Sequence, residues 1–284
     1  TWKPDVIHVH FAVPTGVLGM VLSALTGVPY VLTVHLGDVP GGVPEKTGGW
    51  FRAVYPFTPP IWRRAAAVAA VSDYTKSLAL KHYPAAIEVI PNGVRVPDLL
   101  ELQVTDPPEM VFAGRFQPQK NVPFLIEAAA ANADLPWHLT LLGDGPQRGE
   151  VEQAIRQHGL EDRVSLEGWV EPEEVWRIFK RSDLLVMPSL SEGLPVVGVQ
   201  ALACGLAVAG TRAGGLAELI EDGRNGRLVD VGDDTGFVQA MHFCLENRER
   251  LLSMKHESRR IVQQYDIRAV ASSYEELLRK AAEA

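Results

Sequence analysis

The chain has 284 residues, 46% hydrophobic and 22% charged, which suits one large or two ordinary soluble domains with well-filled cores. Its net charge of −8 argues against a nucleic-acid binder. No apolar run is long enough for a membrane span: the longest, 17–36, is broken by Gly19, Gly27 and Pro29.

The chain opens Thr1-Trp2-Lys3-Pro4-Asp5 and is expected to enter a strand at once, without a signal peptide. Short apolar runs predict strands at 6–10, 30–35, 67–71 and 88–90. Amphipathic stretches predict helices at 15–25, roughly 49–64 and 75–82, the last with Ser72 as N-cap. Residues 98–108 are rich in proline and lack a period, so they read as a linker after a first domain at 1–97.

The rhythm then repeats. Strands are predicted at 109–113, 138–142, 164–167, 184–187, 207–209 and 227–229. Helices are predicted at 121–131, 147–157, 172–181, 195–203, 216–221, 234–247 and 248–264, making a second domain of 109–265. Asp233-Asp234 reads as a helix N-terminus. A last helix, 267–282 within a terminal segment 266–284, puts Ile267, Val270, Ala271, Tyr274, Leu277, Leu278 and Ala281 on one face, which needs a surface to lie on. Apolar strands each followed by a helix mean parallel sheets covered on both faces: an α/β chain of two doubly wound, Rossmann-like units. Cys204 and Cys244 match no metal or redox spacing and read as buried free thiols, which predicts a reducing, cytoplasmic setting.

Ligands of such sheets bind outside the carboxyl ends of the strands, so the loops there carry the chemistry. After 109–113 comes Gly114-Arg115-Phe116-Gln117-Pro118-Gln119-Lys120-Asn121, with two cations five residues apart before a helix. That is an anion site or a pair of solvated surface charges. After 138–142 comes Gly143-Asp144-Gly145-Pro146, a tight turn into a helix. After 184–187 comes Ser191-Glu192-Gly193-Leu194-Pro195, and after 207–209 comes Gly210-Thr211-Arg212-Ala213-Gly214-Gly215. Four such loops on one rim suit a phosphorylated ligand. The G-x-G-x-x-G dinucleotide fingerprint and the Gly-Lys-Ser/Thr phosphate loop are both missing from the sequence, which argues against a dehydrogenase and a nucleoside triphosphatase. In the first part His8 and His10 share a strand face, as site residues or as packing and hydrogen-bonding ones, while His35, the more suggestive placement, ends a strand before Gly37 and Asp38.

Taken in order, these residues resemble glycosyltransferase family 4, retaining enzymes of the GT-B fold that use a nucleotide-diphosphate sugar. The matching stretches are Asp5-Val6-Ile7-His8-Val9-His10, Thr33-Val34-His35-Leu36-Gly37-Asp38 and Val89-Ile90-Pro91-Asn92-Gly93-Val94. They continue with Gly114-Arg115, Lys120-Asn121, Gly143-Asp144-Gly145-Pro146, Pro188-Ser189, Glu192-Gly193-Leu194-Pro195, and Gly214-Gly215 with Glu218. The resemblance implies a nucleotide-sugar donor held mainly by the second domain. Arg115 and Lys120 would bind its pyrophosphate, with Gly114 and Gly143 alongside. Glu192 would accept from sugar hydroxyls, and backbone amides around Gly193, Leu194, Pro195 and Val196 would meet phosphate or sugar. Gln200 would face the ribose, Trp169 or Val170 the base, and His35 the transferred sugar, with Asp38 and His10 close by. The last helix would cross back onto the first domain. The implied activity is hexose transfer with retention through a front-face step, in which the departing phosphate takes the acceptor's proton. Neither a metal nor another cofactor is expected, and the acceptor is an unspecified glycan, lipid or small molecule.

Two features depart from the family pattern. Its Glu-x₇-Glu motif ends here in Gln200, which exchanges a carboxylate for an amide with one acceptor and two donors. The first domain has roughly half the family's usual length, so it is expected to be incomplete. A truncated or fragmentary chain, a second chain or a homo-oligomer supplying the missing strands would each account for that. A non-catalytic nucleotide-sugar-binding or assembly fragment is therefore the alternative to a transferase, with an epimerase third. The aromatic stretch Gly48-Gly49-Trp50-Phe51-Arg52-Ala53-Val54-Tyr55-Pro56-Phe57, near Arg63-Arg64, is either a peripheral membrane contact or a packed helix.

Overall fold

The computed structural model describes residues 3–43, 53–98 and 101–283. Half of the aromatic stretch read as a peripheral membrane contact or a packed helix, at 48–52, lies outside the described residues, as do 99–100 of the linker. The chain divides into two compact units. One comprises Thr1–Gly93, Glu192–Leu194 and Ile267–Ala284; the other comprises Val94–Ser191 and Pro195–Asp266. Among the described residues, no helix is long and apolar enough to cross a membrane.

The first unit holds a four-stranded parallel sheet of β1 (Ile7–His10), β2 (Tyr30–Val34), β3 (Ala67–Ala70) and β4 (Ile87–Val89), in that spatial order. Strand alternation sorts β2 between two cores. Tyr30, Leu32 and Val34 pack with Ile61, Trp62 and Tyr83 on one face. Val31 packs on the other with Ala69, Ile90, Val270, Leu277 and Ala281. The last three residues belong to the terminal helix (Ile267–Glu283), so the apolar face read from the sequence lies on this sheet.

Helix α1 (Val17–Thr26) follows an irregular turn at Ala12–Gly16 and leaves Leu18, Val21, Leu22 and Leu25 exposed. Of the helix expected over 49–64, residues 49–52 lie outside the described residues, and the described part contains a 3₁₀ turn, Tyr55–Phe57, and a short helix α2, Pro59–Arg64; Pro56, Pro59 and Pro60 remove amide donors a continuous helix needs. Helix α3 (Asp73–Leu80) is capped by Ser72, whose side chain accepts from the Thr75 N–H at 3.0 Å.

The second unit is a six-stranded parallel sheet. Its strands are β5 (Glu109–Ala113), β6 (His138–Leu142), β7 (Val164–Gly168), β8 (Leu184–Met187), β9 (Ala207–Thr211) and β10 (Gly226–Val229). The spatial order β10-β9-β8-β5-β6-β7 reverses between β5 and β8. That reversal is a topological switch point, where connections leave to opposite faces and open a crevice at the carboxyl ends. Helices α4 (Val122–Ala130), α5 (Arg148–His158), α6 (Pro172–Lys180), α7 (Val196–Cys204), α8 (Asp234–Leu245) and α9 (Arg248–Ile261) complete it, and the terminal helix is α10. Two predicted helices change form. Residues Gly214–Leu219 make a 3₁₀ segment, and the end of 248–264 tightens to 3₁₀ at Val262–Tyr265. Six residues are too few to repay helix nucleation at 214–219, and at Val262–Tyr265 the last turn of α9 tightens, as helix ends commonly do.

The residues read as a plain linker, and Pro97 just before them, are held down by α9. Arg259 donates to the Pro97 carbonyl at 2.7 Å and Arg248 to the Val104 carbonyl at 2.8 Å. Beneath them Lys255 Nζ meets Asp183 Oδ1 at 2.6 Å, with both side chains buried.

Candidate functional site

In the second unit, glycines end the three strands on one side of the switch point. Gly114 N–H donates to the Leu142 carbonyl at 2.9 Å, and Gly143 N–H to the Gly168 carbonyl at 2.7 Å. Gly143 has φ +135°, and a Cβ there would stand 2.0 Å from the Gly114 carbonyl oxygen. Only glycine lets the loops after β5 and β6 come this close. The loops then interlock: Phe116 N–H donates to the Asp144 carbonyl, and Gln147 N–H to the Phe116 carbonyl.

This closeness forms a cavity of about 470 Å³ at the carboxyl ends of the strands. Gly114, Arg115, Gly143, Asp144, Trp169, Val170 and Val197 are among its lining residues. Five of these, Gly114, Arg115, Gly143, Trp169 and Val170, were singled out in the sequence as separate loop residues. Arg115 is exposed, and the Lys120 side chain lies beside Gly114. The 3₁₀ turn Pro118–Lys120 is tied to the loop after β8, where Leu190 N–H donates to the Gln119 carbonyl at 2.8 Å. Lys120 therefore stands on the strand-end loop that borders the switch point.

Helix α7 begins after Pro195, whose carbonyl accepts from Gly198 and Val199. The N–H groups of Val196 and Val197 precede these bonds and have no intrahelical acceptor. With the helix dipole they make a positive end, and Val197 lines the cavity. Gln200, one turn on from Val196, is half-buried on α7. Glu192, Gly193 and Leu194 group with the first unit, where the Asn92 side chain donates to the Leu194 carbonyl at 2.8 Å. The Glu192 carboxylate is buried. Gly214 and Gly215 are not among the residues lining the 470 Å³ cavity.

At the strand ends of the first unit, Asp38 acts as a clamp. Its buried carboxylate accepts from the Ala12 N–H at 2.9 Å and from the His35 N–H at 2.8 Å, joining the loops after β1 and β2. His35 Nε2 lies 3.2 Å from His10 Nδ1. The Phe11 ring stacks on His35 at 4.4 Å between centroids, and its backbone takes φ +71°. Burial, and then the nearby His10, push His35 down to about 4; burial, and then His10, do the same to His8. Burial also lowers His10. All three rings are thus neutral at pH 7, so the His10–His35 contact is a donor facing an acceptor. His8 bonds Thr33 at 2.9 Å, and Thr33 donates to the Tyr274 hydroxyl at 3.3 Å.

The left-handed backbone of Phe11 has no sequence signal, and Arg148, outside the residues that line the cavity, is paired with one that does. The signal for Arg148 was its i,i+4 spacing from Asp144, to which it donates at 3.3 Å. Among the described residues, no group of three or more His, Cys, Asp or Glu is arranged to hold a metal ion.

Comparison with known proteins follows the two units. Residues 1–96 match the family model described as Glycosyltransferase Family 4, and residues 101–261 match that of Glycosyl transferases group 1. The chain is 29% identical over 277 residues to an uncharacterized glycosyltransferase of Methanocaldococcus jannaschii, covering 96% of this chain and 76% of that protein. It is 34% identical over 258 residues to a D-inositol 3-phosphate glycosyltransferase of an Arthrobacter species, covering 80% of this chain and 58% of that protein. The HepE protein of Anabaena, solved in complex with UDP and glucose, superposes with a TM-score of 0.81 at 23% identity, over 96% of this chain and 77% of that one.

Proposed function

Because the chain belongs to the family 4-type glycosyltransferases of the GT-B fold, we propose that it transfers a sugar from a nucleoside-diphosphate sugar to a hydroxyl acceptor. The observation that carries this reading is the convergence of Arg115, the glycine turns and the α7 N-terminus on one cavity at the switch point. The nucleotide-bound state of the Anabaena neighbour supports a nucleotide-sugar donor.

In the reaction, the bond between the sugar's C1 and the phosphate oxygen breaks, and the acceptor oxygen bonds C1 on the same face. The acceptor's proton passes to the departing phosphate oxygen, so the anomeric configuration is retained and no dedicated base is required. Negative charge grows on the diphosphate. Arg115, Lys120 and the Val196 and Val197 amides supply fixed positive partners, each such group being worth about 3–4 kcal/mol in the transition state. With that charge compensation the step runs without a metal. Glu192 accepts from hydroxyls of a hexose-type sugar, assisted by the backbone of 193–196, and Gln200 faces the ribose. Trp169 and Val170 flank the base. His35, neutral and with its backbone held by Asp38, exchanges hydrogen bonds with the transferred sugar, and His10 sets its tautomer. A cytoplasmic, reducing setting fits Cys204 and Cys244, both buried free thiols.

Labelled donors with UDP, GDP and ADP leaving groups, offered with and without an acceptor panel, test the proposal. Transfer or donor hydrolysis is expected. Arg115→Ala and Lys120→Ala are each expected to reduce it by about 10²–10³-fold. Donor binding without transfer or hydrolysis would reassign the chain as a nucleotide-sugar-binding protein.

A further inference from the structure

The cavity at the strand ends carries one aromatic side chain out in the solvent. Trp169 is 72% exposed on its rim, where an indole makes no contribution to a core. An aromatic face in that position suits stacking by any base and does not choose between bases. A choice requires hydrogen-bonding groups near the ring, and the loop after β6 and the first residue of α5 supply one each.

Gly168, at the end of β7, turns the chain with φ +70°, and the space over it holds Arg148: a Cβ built there would lie 3.7 Å from Arg148 Nη1. The guanidinium therefore lies against the backbone that carries Trp169. It is held in place twice. Nε donates to Glu152 Oε1 at 2.8 Å, and Nη1 donates to Asp144 Oδ2 at 3.3 Å. Asp144 itself lines the cavity. A guanidinium has five N–H donors and no acceptor, and a carboxylate only accepts. Next to the backbone that carries the indole, a donor on the first residue of α5 thus stands beside an acceptor on the cavity wall.

The complementary edge is a carbonyl next to a ring N–H. Uracil has it at O4 and N3–H, and guanine has it at O6 and N1–H. Adenine and cytosine invert it: an amino group faces the guanidinium, and an unprotonated ring nitrogen faces the carboxylate. Both mismatches leave like groups opposed, and the failure of a site to pair its polar groups is what gives hydrogen-bond selectivity its size.

We propose that Arg148, paired with Asp144, selects donors whose base is a 4-keto pyrimidine or 6-keto purine over those carrying adenine or cytosine. This rests on the reading of the cavity as the nucleotide site.

Calorimetric titration of the whole chain with UDP, GDP, ADP, CDP and inorganic pyrophosphate tests it. UDP or GDP is expected to bind at least about tenfold tighter than ADP and CDP, and Arg148→Ala and Arg148→Gln to cut that ratio to about threefold or less, with pyrophosphate affinity unchanged. Equal binding of all four nucleotides, preference for ADP or CDP, or a preference intact in both variants would overturn the inference alone. So would a uniform loss that includes pyrophosphate, since Arg148 would then serve the phosphates. Binding of none of the nucleotides overturns the nucleotide-site reading along with it.

Discussion

Gln200 is half-buried on α7, one turn beyond the positive helix end at Val196. A carboxylate here would accept from both ribose hydroxyls, whereas the amide offers a single acceptor oxygen. Gln200→Glu is expected to tighten nucleotide binding by roughly 1–2 kcal/mol, about tenfold, the difference between charged and neutral hydrogen bonds. Calorimetry showing unchanged or weaker binding would remove Gln200 from the ribose. Residues differ in how openly the sequence declares them. Arg115 and Gly143 were legible because each follows a strand end, where α/β sheets place their ligands. Arg148 was not, because a cation four residues from an acid reads as a surface ion pair. Phe11 was not, because a bulky residue with positive φ depends on its surroundings, here the ring of His35.

At the scale of elements, α9 does more than cover the sheet. Lys255 donates at 2.9 Å to the Ser182 carbonyl and at 2.6 Å to Asp183 Oδ1, while Asp183 Oδ2 accepts from the Thr105 and Glu109 N–H groups. One buried pair therefore joins α9, the start of β8 and the entry to β5. Lys255→Met leaves the carboxylate buried without its counter-ion and is expected to cost about 3–5 kcal/mol, towards the lower end because the two amides remain. Pairing it with Asp183→Asn should recover much of the loss. Urea denaturation of the single and double variants measures this, and equal stabilities for Lys255→Met and the parent would show that the pair is not coupled to folding. The helical period of 248–264 was legible in the sequence. That its buried lysine would clamp the apparent linker was not, since Lys255 and Asp183 are brought together only by folding.

For the whole molecule, the three histidines make stability depend on pH. His8 and His35 sit at about 4 in the folded chain, against 6.5 when exposed in the unfolded one. Between those values the unfolded chain binds more protons, so stability rises with pH. The contribution is complete above about pH 6.5 and is lost as pH falls towards 4. The melting temperature is therefore expected to drop from pH 7 to pH 5, and to drop less in a His8→Asn, His35→Asn double variant. Parallel pH profiles for the two proteins would mean that these rings do not drive the effect.

The sequence by itself determined where the strands and most helices fall, because alternation and the 3.6-residue period are local, and it determined which loops follow each strand. It also marked the apolar face of α10 before any surface for it was in view. Tertiary structure decided the spatial order of the strands, with its reversal between β5 and β8, because pairing depends on residues far apart in the chain. It decided that Arg115, Gly143, Asp144 and Trp169 share one cavity, since only the close approach at Gly143 brings their loops together. And it decided that His35 stays neutral well below the ordinary histidine value of 6.5, down to about 4, because burial beside His10 is a property of the folded surroundings and not of the residue.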